Sequence, residues 1–243
     1  MSAPRRVSLE PAFLLHHRPW SDTSRILDLM TRGHGRVTLF ARGARRPGSA
    51  LRGVLQPFVP LLVSWTGQAD GGTLTGAEID GSLRTLPPPQ LMSGFYLNEL
   101  LLQLLPREEG HQRLFDAYAT ALEQLAESPG HRALRVFERV LLEELGYGLE
   151  LGREALSGEP LDPDRYYHFQ PGRGALAIRD AAGDPEAIQG RDMLAVSCGD
   201  LDQPTALSAA RRIMRAAIGH CLDGRGLRSR DVMLALRQRE QDA

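Results

Sequence analysis

The chain has 243 residues, 42% of them hydrophobic, enough to bury a core in one large domain or two small ones and too apolar for disorder throughout. All 29 basic residues are arginine, which excludes a P-loop, a Schiff-base lysine and a kinase-type phosphate lysine. The net charge of -1 hides a segregation: residues 1–56 carry ten arginines against Glu10, Asp22 and Asp28, a balance of +7, residues 81–160 carry seven against twelve acids, and residues 161–243 are even, so a polyanionic partner is expected at the first segment.

Val7 to His17 reads as a first strand centred on Ala12-Phe13-Leu14-Leu15, and Pro19-Trp20-Ser21-Asp22 turns the chain. Leu27 and Leu29, then Val37, Leu39 and Ala41, alternate with more polar residues at period two, the pattern of two half-buried strands joined by the turn Arg32-Gly33-His34-Gly35. The second of these runs into a Gly/Pro/Ser segment, in or beside which five arginines, Arg36, Arg42, Arg45, Arg46 and Arg52, fall within seventeen residues. Such a segment has too few apolar residues to pack, so a solvated, mobile loop is expected. One or two arginines there would be ordinary surface, but five beside a small β-platform, with Arg25 on the preceding strand, suit phosphate binding. Gln56 to Trp65 is the next strand, pushed toward an edge or bulge by Pro57 and Pro60. Asp70-Gly71-Gly72 makes a turn and Leu74 to Ile79 completes a set that predicts a small, partly open barrel of the OB type. Trp20, Phe40, Phe58 and Trp65 sit mostly where strand alternation buries them, so each is expected in the core and none is assigned to base stacking.

Leu86-Pro87-Pro88-Pro89 is a stiff connector, which sets expected domains at 1–82 and 83–243. After it the spacing predicts a helix through Leu91, Phe95, Leu97, Leu100, Leu101 and Leu104, and a second through Leu114, Tyr118, Leu122 and Leu125, ending at Ser128-Pro129-Gly130. A third, through Leu134, Phe137, Leu141 and Leu145, is stopped by Gly146. An irregular insertion is expected at about 150–204, within which Tyr166–Phe169 and Ala175–Ile178 suit a small hairpin. Thr205 or Ser208 caps a last long helix, and a short helix from Ser229 to about Arg239 ends the chain.

Cys198 and Cys221 cannot fill a four-ligand zinc site and read as buried small hydrophobes. The seven histidines show no His-Glu-x-x-His spacing, and neither Gly-x-Ser-x-Gly nor Gly-x-Gly-x-x-Gly occurs. No catalytic residue, metal or cofactor is therefore expected. With no run of eighteen apolar residues and no apolar signal core after Met1-Ser2-Ala3-Pro4-Arg5-Arg6, a cytoplasmic protein without membrane association is expected.

The run HHRPWSDTSRILDLMTRGHGRVTLFARGARRPGSALRGVLQPFVPLLVSW, together with Leu145-Gly146-Tyr147-Gly148-Leu149 and Arg225-Gly226-Leu227-Arg228-Ser229-Arg230-Asp231-Val232, resembles the RecO family of bacterial recombination mediators over nearly the whole chain. The resemblance implies a multi-domain α+β protein, an N-terminal OB-fold barrel followed by a C-terminal helical domain, that binds single- and double-stranded DNA without catalysis and anneals strands on the nucleoid. It also implies partners: the acidic C-terminal tail of single-stranded-DNA-binding protein, and RecR, often with RecF, for loading RecA. Metal-bearing relatives have a four-cysteine zinc module that would fall here at about Leu151 to Ala175, where no cysteine occurs, so the likeness is to the metal-free branch.

For the tail, which ends in a hydrophobic dipeptide and a free carboxylate, cations and an apolar pocket are needed together. Arg132, Arg135 and Arg139 share one face of the third helix, and Arg211, Arg212 and Arg215 cluster on the last long one. Phe137, Leu141, Leu142 and Tyr147 are near enough to line a pocket, although Glu138 and Glu143 are available to neutralise the first set. Two other function classes fit less well. A nucleic-acid-processing enzyme lacks carboxylates at metal-binding spacing, and a protein-only adaptor would turn the basic loop toward an acidic protein.

Overall fold

Leu27, Leu29, Val37, Leu39 and Ala41 all face the inside of a barrel and are fully buried. The computed structural model describes residues 6–81, 85–107, 109–128 and 130–241. Strands β1 (Arg6–Pro19), β2 (Arg25–Thr31), β3 (Gly35–Ala41), β4 (Pro60–Thr66) and β5 (Asp70–Ile79) close in the order β1-β2-β3-β5-β4. Every pairing is antiparallel except β3 with β5. This is the OB-fold barrel. It is closed rather than partly open because β5 starts at Asp70, so that Asp70, Gly72 and Thr73 pair with Thr38, Leu39 and Phe40 instead of turning the chain. Gly72 permits the approach: a Cβ there would lie 2.4 Å from the Gln68 carbonyl oxygen and 3.2 Å from the Leu39 side chain. Pro60 sits at the first position of β4, where its missing N–H costs no ladder bond.

By its contacts the chain forms two compact units, residues 1–130 with 227–243, and residues 131–226. The boundary expected at 82/83 falls outside the described residues. In the first unit the barrel is joined by α1 (Leu51–Val54), α2 (Leu91–Leu104), α3 (Gln112–Glu127) and α7 (Arg228–Gln241). Phe13, on the outside of β1, packs against Phe115 (tilted) and Tyr118 (edge to face) of α3 at 5.3 and 5.0 Å between ring centres. Beneath it runs a buried polar chain in which the Tyr118 hydroxyl donates to Asn98 Oδ1 at 2.5 Å and Asn98 Nδ2 donates to the Leu15 carbonyl at 2.9 Å. Glu99 of α2 accepts from the backbone N–H groups of Arg228 and Ser229 and from the Ser229 hydroxyl, capping α7 from a helix more than a hundred residues earlier.

In the second unit α4 (His131–Glu144) and α6 (Pro204–Cys221) pack together, with α5 (Gly190–Cys198) against α6. Gly146, at φ +80°, ends α4 in the left-handed conformation expected of it. The segment 150–204 contains a three-stranded sheet, β7-β6-β8, of β6 (Tyr166–Gln170), β7 (Gly174–Ala177) and β8 (Ile188–Gln189). The hairpin suggested by the sequence is present, with Tyr167 opposite Ala177 and Phe169 opposite Ala175. Thr205 does not cap α6; its hydroxyl donates to Asp192 at 2.8 Å, and Gln203 holds the cap position. Among the described residues no helix is long and apolar enough to cross a membrane.

Candidate nucleic-acid interface

The arginine segment that follows β3 is a chain of hydrogen-bonded turns rather than the mobile coil its composition suggests. Arg46 N–H donates to the Gly43 carbonyl, Ser49 to Arg46 and Arg52 to Ser49, each at 3.1 Å. Arg45 pins the loop to the β1–β2 turn twice, through its backbone N–H to the Thr23 carbonyl and through Nη1 to the Ser21 carbonyl, both at 2.9 Å. The side chains of Arg42, Arg45, Arg46 and Arg52 are exposed. Among the described residues Arg42, Arg46 and Arg52 have no acidic partner within ion-pair distance, so their charge is not cancelled locally.

Arg25 stands half-buried at the start of β2, opposite Ala41 at the end of β3. Burial, then Arg25 and His16, lower the proton affinity of His17 on the neighbouring strand, so that imidazole is neutral at neutral pH. Arg36 is placed differently. It is half-buried and donates to the Leu102 carbonyl in the last turn of α2, while burial and the Arg107 guanidinium lower its pKa. It is a strut between barrel and helix, occupied by a carbonyl that carries the negative end of a helix dipole, and not a free phosphate ligand.

Of the four aromatic residues weighed for the core, Trp65 and Phe58 are 1% and 7% exposed, and Phe40 is half-buried. Trp20 overturns the expectation: it is 62% exposed and meets Phe40 edge to face at 5.3 Å. It lies in a turn, where no period-two alternation dictates which way a side chain points.

Two family models cover the chain, Recombination protein O N terminal over residues 6–82 and Recombination protein O C terminal over residues 88–231. The chain is 45% identical to a DNA repair protein RecO of Thiobacillus denitrificans, across 97% of this chain and 95% of that one. It is 42% identical to the RecO of Aromatoleum aromaticum, across 98% and 100%. The chain belongs to the RecO family.

The residues that the RecO resemblance suggested for a partner's tail divide in the second unit. Arg135 is bound to Glu138 at 2.6 Å, with side chains 12% and 1% exposed. Arg132 meets Asp202 at 2.7 Å, and Arg139 lies between the Ser197 carbonyl at 3.4 Å and Glu143 at 3.7 Å. The basic face of α4 is thus neutralised by its own surroundings. Phe137, Leu141 and Leu142 are fully buried and belong to the core, because the stripe that would line a pocket is the stripe on which α4 packs; Tyr147 is 49% exposed.

On α6, Arg211 and Arg215 are exposed and Arg212 donates to the Ala187 carbonyl at 3.0 Å. Arg212 also lines a groove of about 330 Å³ with His168, Phe169, Leu176, Ile188 and Ile213. Its Nη2 is buried, has no hydrogen-bond partner among the described residues, and lies 4.0 Å from Glu186. Sequence reasoning missed this groove because strand, loop and helix residues far apart in the chain meet there. Among the described residues no three His, Cys, Asp or Glu side chains are grouped to hold a metal ion. Cys198 is exposed rather than buried, and both cysteines are free thiols.

Proposed function

We propose that the chain acts in DNA repair and recombination as a non-catalytic mediator on the nucleoid. It binds single- and double-stranded DNA through Arg42, Arg45, Arg46 and Arg52, with Arg25 beside them, and anneals complementary strands. It engages the acidic tail of single-stranded-DNA-binding protein and, with RecR and RecF, promotes RecA loading on coated DNA. The observation that carries the reading is the set of exposed loop arginines, of which Arg42, Arg46 and Arg52 have no acidic partner among the described residues, on an OB barrel of a RecO-family chain. Uncancelled guanidinium groups displace counterions from phosphates whatever the base sequence, which is what a protein that anneals arbitrary strands requires.

For the tail, the α6 groove answers the chemistry better than α4. Arg212 in the groove and the exposed Arg215 on the same helix offer guanidinium groups to a carboxylate, while the half-buried Phe169 and Leu176 offer apolar surface to the side chains before it. The test is a mobility shift on an oligonucleotide coated with its cognate binding protein, with and without that protein's tail. The wild type should supershift only the complex that has tails. Arg212→Glu should lose the supershift and still bind naked single strands, and a loop variant lacking Arg42, Arg46 and Arg52 should do the reverse. If both variants lose both activities in proportion, with folding verified by circular dichroism, the two-site reading fails.

A further inference from the structure

We infer that Trp20 is a platform on which an unpaired base of a single-stranded nucleic acid stacks, an inference that rests on the loop arginines binding phosphate. The barrel's other tryptophan, Trp65, is 1% exposed, whereas Trp20 leaves 62% of its surface in water. A large ring left in solvent forgoes the burial that normally places tryptophan inside. The ring is nevertheless held: its edge-to-face contact with Phe40 has an interplanar angle of 64°, and its turn is closed by the Trp20 N–H donating to the Ser24 carbonyl at 3.1 Å.

Phe40 lies on the outside of the barrel, since its neighbours Leu39 and Ala41 are fully buried within. Arg18, Ile26 and Phe40 form one cross-strand row on that outer surface, and Arg18 is exposed. The same turn accepts both hydrogen bonds from Arg45, through the carbonyls of Ser21 and Thr23. A tethered aromatic surface is therefore set within a few residues of the guanidinium groups assigned to phosphate. An apolar protein partner would need a wider apolar patch, but Arg18, Ser21 and Asp22 beside Trp20 in the chain, and Arg45 bound to the same turn, are all exposed polar or charged residues. A nucleobase fits both requirements, a π-face for the ring and a phosphate for the cations.

The consequence is a division of labour. Paired bases in a duplex already stack on one another and offer no free face, so a duplex touches the arginines alone, and only an unpaired strand engages Trp20 as well. Trp20 then supplies the preference for single strands that phosphate contacts cannot.

Intrinsic fluorescence tests this, because buried Trp65 gives a constant background. Wild-type protein is titrated with an oligothymidylate, an abasic deoxyribose-phosphate oligomer of equal length, and a blunt duplex. All three should bind, and only oligothymidylate should quench the emission. Trp20→Ala should weaken oligothymidylate binding about tenfold and leave the other two nearly unchanged, while Trp20→Phe keeps most of the affinity. Equal weakening of all three ligands by Trp20→Ala, quenching by the abasic oligomer, or no effect on any ligand would each overturn the proposal. If wild-type protein binds none of the three, the phosphate reading beneath it fails too, a result distinct from binding without quenching.

Discussion

Arg45 Nη1 donates to the Ser21 carbonyl at 2.9 Å and so ties the cationic loop to the turn that carries Trp20. Arg45 is thus both an exposed charge and an anchor, whereas Arg46, with no side-chain hydrogen bond among the described residues, is a charge alone. Arg46→Ala is expected to lower the salt slope of DNA binding by about one and leave loop protection unchanged. Arg45→Ala should also speed amide exchange through the loop in the absence of DNA. Equal exchange in the two variants would show that the side-chain anchor contributes nothing.

The chain from Tyr118 through Asn98 to the Leu15 carbonyl is buried, and Asn98 bridges its two ends. Asn98→Leu removes two hydrogen bonds from a buried site and should cost about 3 kcal/mol. Denaturant unfolding measures this, and the double variant Asn98→Leu/Tyr118→Phe should recover part of the loss. A single variant as stable as wild type would contradict the account.

Glu99 is held below the usual glutamate pKa; burial opposes this, but hydrogen bonds from Ser229, Arg228 and Gln103 outweigh it. A carboxyl with a lowered folded-state pKa contributes its stabilisation in full above the unfolded value of about 4.5 and loses it as pH falls through the folded one. Wild type should therefore melt above Glu99→Gln at pH 7, and the gap should narrow below about pH 4. A gap that stays constant with pH would show that the charged form of Glu99 does not cap α7.

Arg135 and Glu138 form a pair that is nearly sealed from solvent. Removing one partner leaves a buried charge, so Glu138→Ala should destabilise by about 3–5 kcal/mol, and Arg135→Met with Glu138→Leu should recover most of that. Thermal melts of the single and double variants decide it; a harmless Glu138→Ala would mean that Arg135 is free for a ligand after all.

The barrel was legible because period-two alternation is a direct image of inside and outside, and Leu27, Leu29, Val37 and Leu39 follow it without exception. What was not legible depended on positions with no period or on partners distant in sequence. Trp20 sits in a turn, where exposure is set by tertiary surroundings. The helical spacing of Arg132, Arg135 and Arg139 gave their common face, but not that Glu138 would be buried against Arg135 or that Asp202 would reach Arg132. Glu99 and Ser229 are 130 residues apart, so no local pattern announces that one caps the other's helix. The two-residue strand β8 is too short to leave any alternation to read.

If the exposed loop arginines neutralise DNA phosphates, they must set the salt dependence of binding. Arg42, Arg46 and Arg52 can be changed to alanine together without touching the Arg45 anchor. With log K plotted against log salt for a duplex, the triple variant should bind more weakly at low salt, for all sequences alike, with a slope shallower by about 2 to 3. A variant whose affinity falls while its slope stays that of the wild type, or whose binding does not change at all, would place the phosphate contacts elsewhere and contradict the account.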